Sequence, residues 1–466
     1  MTHEPPTSPP HGHRVEFDAL GSMMVPADAL YGAQTARALA NFPLDGQARL
    51  GDYPEVVRAL LITKVAAARA NSAIGALDPV IARAIEAAAT TIADEGDFVS
   101  LFPIHHLHGG GGTSANINVD EVLANVAEEL LGGVRGRYER VDPLDHVNLN
   151  QSTNDVYPTA IHIAVLRRWG SLRSALQELS AEVHNCIGRF GTQPRLARTC
   201  LQDAVPTTFG DLFGGYAAAV ERGATRIGQA VDELRRVSMG GTVVGRVEDL
   251  PDGYLRAVLE ALRALEDPRL HHPESFYDAA QNVDDLIAVS SALDSLGGTL
   301  VKISKDLRLL ASGPEAGLGE ISIPAVQPGS SAMPFKVNPV IPEFVIHLAW
   351  QVSGNHRMAT LAHEHGELDL NVWESAIAYP VLDSMRSLDS AATALARRCL
   401  NGLEPVPERN RRNAASIIPW ITELKRTHGY SALTELVRRA DGDVDLLRSL
   451  LTERFGDATD PDSGPR

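Results

Sequence analysis

Between residues 156 and 400 the sequence carries five long segments whose apolar residues recur at a spacing near 3.6: VYPTAIHIAVLRRWGSLRSALQELSAEVHNC, TFGDLFGGYAAAVERGATRIGQAVDELRRV, NVDDLIAVSSALDSLGGTLVKISKDLRLLAS, PEFVIHLAWQVSGNHRMATLAHEH and SAIAYPVLDSMRSLDSAATALARRC. Helices of ~30 residues extend ~45 Å at 1.5 Å per residue, longer than the core of a globular monomer requires. Such segments fit a helical bundle. Around Leu286 to Ile303 small and apolar residues occupy more than one face. A helix apolar all round is normally buried on all sides, which predicts that neighbouring subunits cover it and that the chain is an oligomer.

The flanks divide the 466 residues further. Residues 1–14 form a Pro-rich lead expected to be disordered, and 15–150 mix loops with helical pieces such as YPEVVRALLITKVAAARANSAIGAL and DEVLANVAEELLGG. Residues 151–402 make up the long-helix domain. From 403 to 466 short helical pieces suggest a small C-terminal helical domain that ends in a loose DATDPDSGPR. No internal repeat of roughly 20 to 50 residues is evident.

Charge and cysteine content exclude several functions. The formal charge of −17 disfavours general binding to nucleic acid or to an acidic membrane surface, so an anionic ligand would need a locally positive pocket. Cys186, Cys200 and Cys399 lie far apart without CxxC spacing, against a disulfide framework or a zinc ribbon. The N-terminus has no basic start followed by an apolar run, and no uncharged stretch of about 18 residues occurs. A cytoplasmic setting without membrane association is the expectation.

Four polar, turn-rich segments interrupt the apolar pattern: GGGGTSANIN (109–118), NQSTND (150–155), RTCLQDAVP (198–206) and GSSAMPFKVNP (329–339). Ser, Thr, Asn and Asp before helical patterns can serve as caps that satisfy free backbone N–H groups. Together, however, the segments offer hydroxyls, amides, N–H groups at helix starts and one lysine, a set that binds carboxylates and stabilises developing negative charge. Competing motifs are weaker. GGGG lacks a following GK[ST], no GxSxG elbow occurs, and His105, His106 and His108 lack a standard metal-ligand spacing. No metal and no cofactor are expected.

GSSAMPFKVNP resembles GSSxMPxKxN, the signature of the fumarase/aspartase superfamily. VPADALYGAQTARALANF, GTSANINVDEVLAN, DHVNLNQSTNDVYPTA, TCLQDAVPTTFGDLF, DLRLLASGPEAGLGEISIP and LDLNVWES are similar to other blocks of that family, in family order. The resemblance implies a mainly α, three-domain fumarase/aspartase-like fold. It also implies a homotetramer whose long helices form one multi-helix core, with each active site shared by three subunits. The reaction implied is elimination of fumarate from a succinyl compound.

Residue by residue, the resemblance makes Ser330 the general base that removes the Cβ proton. Thr113, Ser152, Thr153 and Ser331 become donors to the β-carboxylate, and Ser114 falls in the same substrate-binding block as Thr113. Lys336, Asn338 and Thr199 would clamp the α-carboxylate, and Asn154 would face the leaving group. QSTND, LQDAVP and KVNPVIPE resemble aspartases, whereas ASGPEAGLGEISIP and FGGYAAAV lean towards class II fumarases. The motifs nearest the site imply a carbon–nitrogen lyase acting on L-aspartate or a related compound. Class II fumarase, a lyase for a modified aspartate and a non-catalytic member are the alternatives. Cys200, His108, Arg246 and Phe335 depart from the family pattern, and Cys200 and Arg246 are counted with the substrate-binding residues because the departures leave room for a modified substrate.

Overall fold

The computed structural model describes residues 12–456. The part of the Pro-rich lead before Gly12 and the terminal DATDPDSGPR lie outside them. His13 and Arg14, at the end of that lead, begin strand β1 (His13–Asp18), which pairs antiparallel with β2 (Gly21–Pro26). The rest of the fold is mainly helical. Among the described residues the strands form three two-stranded antiparallel pairs.

In the N-terminal part, α1 (Ala33–Asn41), α2 (Pro54–Ala73), α3 (Pro79–Glu95), the short α4 (Phe98–Leu101) and α5 (Thr113–Leu130) follow in order. Proline at the first turn of α2 and α3 has no N–H to leave unpaired, and the Asp78 carboxylate accepts the Val80 N–H to cap α3. Alanines let α2 approach its neighbours closely, and it is buried on most of its surface, Thr63, Lys64 and Asn71 included.

The five long segments expected from periodicity are α6 (Thr153–Phe190), α7 (Phe209–Glu233), α10 (Asp284–Leu310), α11 (Val340–Glu364) and α12 (Ser375–Leu395), with α8 (Tyr254–Leu265) and α9 (Phe276–Gln281) between them. Pro158 and Pro380 stand in the second turns of α6 and α12, where each leaves out one intrahelical N–H bond close to the helix start. In α10 the residues buried within the chain form one stripe: Leu286, Val289, Leu293, Leu296, Leu300, Ile303 and Leu307. Ala288, Ser291 and Gly298 lie exposed on other faces. By length and composition alone α10 could cross a membrane. A core helix with one buried stripe passes the same test.

Backbone contacts group the chain into two compact units. One comprises residues up to Ser174 with Gly223–Gly297 and Leu348–Asp389. The other comprises Ala175–Arg222, Gly298–His347 and the chain from Ser390 onwards. In the second, the hairpin of β3 (Pro194–Thr199) and β4 (Gln202–Thr208) connects α6 to α7. Phe190 at the end of α6 meets Phe209 and Phe213 of α7 edge-on, at 5.8 and 5.4 Å between ring centres. This unit also holds a two-residue pair, β5 (Ile321–Ser322) with β6 (Glu404–Pro405), and α13 (Pro407–Ala414). Last come α14 (Ile417–His428), α15 (Tyr430–Ala440) and α16 (Val444–Phe455), packed around Ile417, Leu433, Leu436, Leu447 and Leu451.

Candidate active site

The candidate residues divide between the two units. Thr113, Ser114, Ser152, Thr153, Asn154 and Arg246 are in the first; Thr199, Cys200, Ser330, Ser331, Lys336 and Asn338 are in the second.

In the first unit two helix starts come together. Gly110, Gly111 and Gly112 all have positive φ (88°, 59° and 87°), and a Cβ on Gly112 would sit 2.5 Å from the Tyr157 ring of α6. The glycine run thus brings the first residue of α5, Thr113, against the first turns of α6. Thr113 Oγ1 donates to the Gly110 carbonyl at 2.8 Å. His108 is buried beneath. Its Nδ1 donates to the His105 carbonyl at 2.9 Å, which leaves Nε2 to accept the Ala115 N–H at 3.4 Å. That departure from the family pattern therefore caps α5, and burial keeps the imidazole neutral by lowering its pKa.

At the start of α6, Ser152 Oγ accepts the Asn154 N–H at 3.2 Å and the Asp155 carboxylate accepts the Ser152 N–H at 3.1 Å. The second oxygen of Asp155 accepts the N–H groups of Gly240 and Thr242 at 3.1 and 2.9 Å, and Asn154 Nδ2 donates to the Val243 carbonyl at 2.8 Å. The candidate residues Ser152 and Asn154 thus also shape the start of α6. Arg246, on the far side of the 240s loop, turns its guanidinium to Asp249 at 3.0 and 3.3 Å and to Glu248 at 3.5 Å. Asn154 also borders a small enclosed cavity with His162, Arg236, Asp285, Asn371 and Glu374. Burial and the nearby Asp285 carboxylate push Glu374 up to about 8, so it is a neutral acid at pH 7.

In the second unit the segment 329–339 closes on itself. Gly329 N–H donates to the Lys336 carbonyl at 3.0 Å, and Asn338 Nδ2 donates to the Gly329 carbonyl at 2.7 Å. A Cβ at Gly329 would lie 2.5 Å from the Lys336 carbonyl oxygen, so only glycine fits. Inside this loop Ser330 Oγ accepts two backbone N–H groups, from Ala332 at 3.1 Å and Met333 at 3.0 Å. Donors aimed at a hydroxyl oxygen favour its deprotonated form. Ser331, Phe335 and Lys336 are exposed on the same loop, Phe335 at 90%.

Thr199 and Cys200 occupy the tip of the β3–β4 hairpin. Cys200 and Leu201 both have positive φ, 52° and 61°, the backbone of a two-residue type I′ turn usually made by Asn-Gly. Neither residue is suited to it, and strain of this sort concentrates at functional sites. The hairpin is fixed from behind by Glu320, a buried carboxylate that accepts Arg198 Nη2 at 2.5 Å and Asn413 Nδ2 at 2.8 Å.

Sequence reasoning passed over Asp155 and Glu320. Asp155 carried a local signal, since Ser152 to Asp155 reads S-x-x-D, a variant of the capping box. Glu320 had none, because its partners are about a hundred residues away in sequence.

Comparison with known proteins agrees in kind. A family model described as "Lyase" matches residues 21–354. An aspartate ammonia-lyase from a Bacillus species is 39% identical over 437 residues, covering 94% of this chain and 92% of the relative. A class II fumarate hydratase from Caulobacter vibrioides is 38% identical, covering 93% of each. Among solved structures, a fumarate lyase:delta crystallin from Brucella melitensis bound to cobalt is similar with a TM-score of 0.91 at 39% identity, covering 96% of each chain.

Proposed function

Because this chain belongs to the fumarase/aspartase superfamily of lyases, we propose that it removes ammonia or an amine from L-aspartate, or from a close succinyl relative, to leave fumarate. The observation that carries this is the Ser330 hydroxyl with two backbone N–H groups on its oxygen. A serine is a poor base in water, and such donors in a closed site are what its alkoxide needs.

The alkoxide takes the Cβ proton, and the electrons left behind spread into the neighbouring carboxylate, which becomes an aci-carboxylate. Ser152 and Thr153 at the start of α6, Ser331 of the signature loop, and Thr113 at the start of α5 once its hydroxyl turns from the Gly110 carbonyl, supply hydroxyl donors to that carboxylate, and the N–H groups of the two helix starts also favour negative charge. Lys336, Asn338 and Thr199 hold the other carboxylate. Collapse of the intermediate then breaks the C–N bond beside Asn154; the bonding pair stays with the protonated nitrogen, which departs as neutral ammonia or amine. Released fumarate absorbs in the ultraviolet, so the purified protein should give a rising signal with L-aspartate or an N-substituted aspartate. No signal with any of these compounds would remove the proposal.

The protein works as a soluble cytoplasmic homotetramer with each site assembled from three subunits. Support comes from the exposed apolar residues of α11, Phe344, Trp350, Met358 and Leu361, and from the exposed small residues of α10. Inactive Ser330→Ala chains mixed and reassembled with inactive Thr153→Ala chains should regain part of the activity, because some sites then combine two intact contributions. Absence of any recovery over a range of ratios would count against shared sites.

A further inference from the structure

Beneath the start of α6 lies a set of buried ionisable groups that the elimination itself does not use. Lys64 of α2 and Asp120 of α5 are both fully buried and pair at 2.8 Å. Lys64 also donates to Asn148 Oδ1 at 2.8 Å, and Asn116 Nδ2 reaches both Asp120 and Asn148, at 3.2 and 3.1 Å. Asn71 of α2 holds the next stretch, donating to the Leu149 carbonyl at 2.9 Å and accepting from Asn150 Nδ2 at 2.7 Å. The segment leading to Ser152 is thereby tied to the helices below it.

Asp155 completes the arrangement. It is 1% exposed, and its two oxygens accept three backbone N–H groups, one from Ser152 and two from the 240s loop. The charged or titratable groups facing it are Lys64 from α2, itself paired with Asp120 of α5, and the buried Tyr254 hydroxyl at the start of α8. Three N–H donors match an ionised carboxylate, which only accepts. A proton on the oxygen that takes both loop N–H groups would confront one of those donors, and a proton on the other would remove the charge that strengthens all three bonds.

We propose that Asp155 is a positioning residue: as a carboxylate it clasps the Ser152–Asn154 helix start to the Gly240–Val243 loop, and on protonation it releases them. The inference rests on the reading of Ser152, Thr153 and Asn154 as substrate-binding residues. Asp155 touches no reacting atom in that scheme. Its effect passes through the placement of Asn154, whose side chain bonds the Val243 carbonyl in the same loop.

Burial pushes the Asp155 carboxyl up to about 7 from 3.8, against the pull of Lys64 and the three N–H groups. A folded-state value above the unfolded one means that this group favours the folded state at low pH, and that its contribution is lost as pH rises from about 4 to about 7. The clasp has the opposite dependence. It is intact above pH 7 and loosens below, so local order and global stability should change in opposite directions, as a purely structural carboxylate would not require.

The test uses the full-length wild type and Asp155→Asn. In the wild type, hydrogen exchange by mass spectrometry from about pH 5.5 to about 8.5 should show protection of peptides spanning 150–155 and 238–246 falling as pH drops through 7, while peptides within α2 stay unchanged. Asp155→Asn should show that lower protection at every pH, lose ~10²-fold in kcat with a much smaller change in KM, and lack the wild type's decline in kcat below pH 7. Protection independent of pH in the wild type would overturn the proposal, and so would an Asp155→Asn protein with wild-type kcat and pH profile. The wild-type exchange experiment decides the matter if the variant does not fold. It needs no turnover, so a protein inactive on every aspartate would sink the functional reading and leave the clasp to be judged by exchange alone.

Discussion

Replacing Ser330 with alanine should abolish nearly all fumarate release while the protein stays folded and still binds dicarboxylates. The Ser330 side chain takes part in loop structure only as an acceptor of the Ala332 and Met333 N–H groups. The loop is closed separately, by the Gly329 to Lys336 backbone bond and the Asn338 side chain. Alanine therefore leaves the loop's closing bonds intact and exposes two N–H groups to solvent, at little structural cost. A proton-transfer group is worth typically ~10²-fold or more, so kcat should fall at least that far with a thermal midpoint close to wild type. Lys336→Ala should behave differently, weakening dicarboxylate binding as well because a charge-assisted contact is lost. If Ser330→Ala kept more than about a tenth of wild-type kcat, well short of a general-base effect, the assignment of the base would be wrong.

L-Malate should be a far poorer substrate than L-aspartate or an N-substituted aspartate. In the family the position of Cys200 lies beside the leaving group, and in fumarases a histidine there, paired with a glutamate matching Glu343, activates water. A thiol is a weak donor and a weak acceptor and cannot take over that role. The Glu343 carboxylate instead lies 3.3 Å from Arg308. An amino substituent protonated before the C–N bond breaks leaves as neutral ammonia and needs less help. The left-handed backbone at Cys200 and Leu201 also argues that the tip of the hairpin is held in a chosen shape at some cost, of about 1 to 3 kcal/mol per strained residue. Comparing kcat/KM for malate, aspartate and a short series of N-substituted aspartates decides the point. A ratio favouring the amino compounds by ~10²-fold or more is expected if acid–base help at the leaving group is missing for water. Malate as the best substrate would turn the reading towards fumarase, and turnover of substituted compounds alone would mark Cys200 as part of a specialised pocket.

What could be read from the residues follows from what each feature depends on. The long helices are dictated by a 3.6-residue repeat that every turn restates, so α6, α7, α10, α11 and α12 appear where the periodicity puts them. The signature loop was legible for a related reason. Gly329, Ser330, Lys336 and Asn338 lie within ten residues, and the bonds that shape the loop run among those same residues. Other features depend on partners far along the chain. RTCLQDAVP reads as a polar loop, yet it forms a hairpin because α6 and α7 pack their phenylalanines together and Glu320 anchors Arg198 across 122 positions. The left-handed turn falls on Cys200 and Leu201, residues with no local preference for it, so only pairing of the two strands can impose it. Asp155 is a helix-start acid in the sequence and becomes a clasp only when Gly240 and Thr242 arrive, 85 and 87 residues later. The amino-acid sequence by itself determined the helices, the loop that carries Ser330 and the kinds of hydrogen-bonding group on the polar segments. Which backbone groups those donors meet was decided by the tertiary structure, because a buried hydrogen bond between distant segments exists only after the intervening helices have packed.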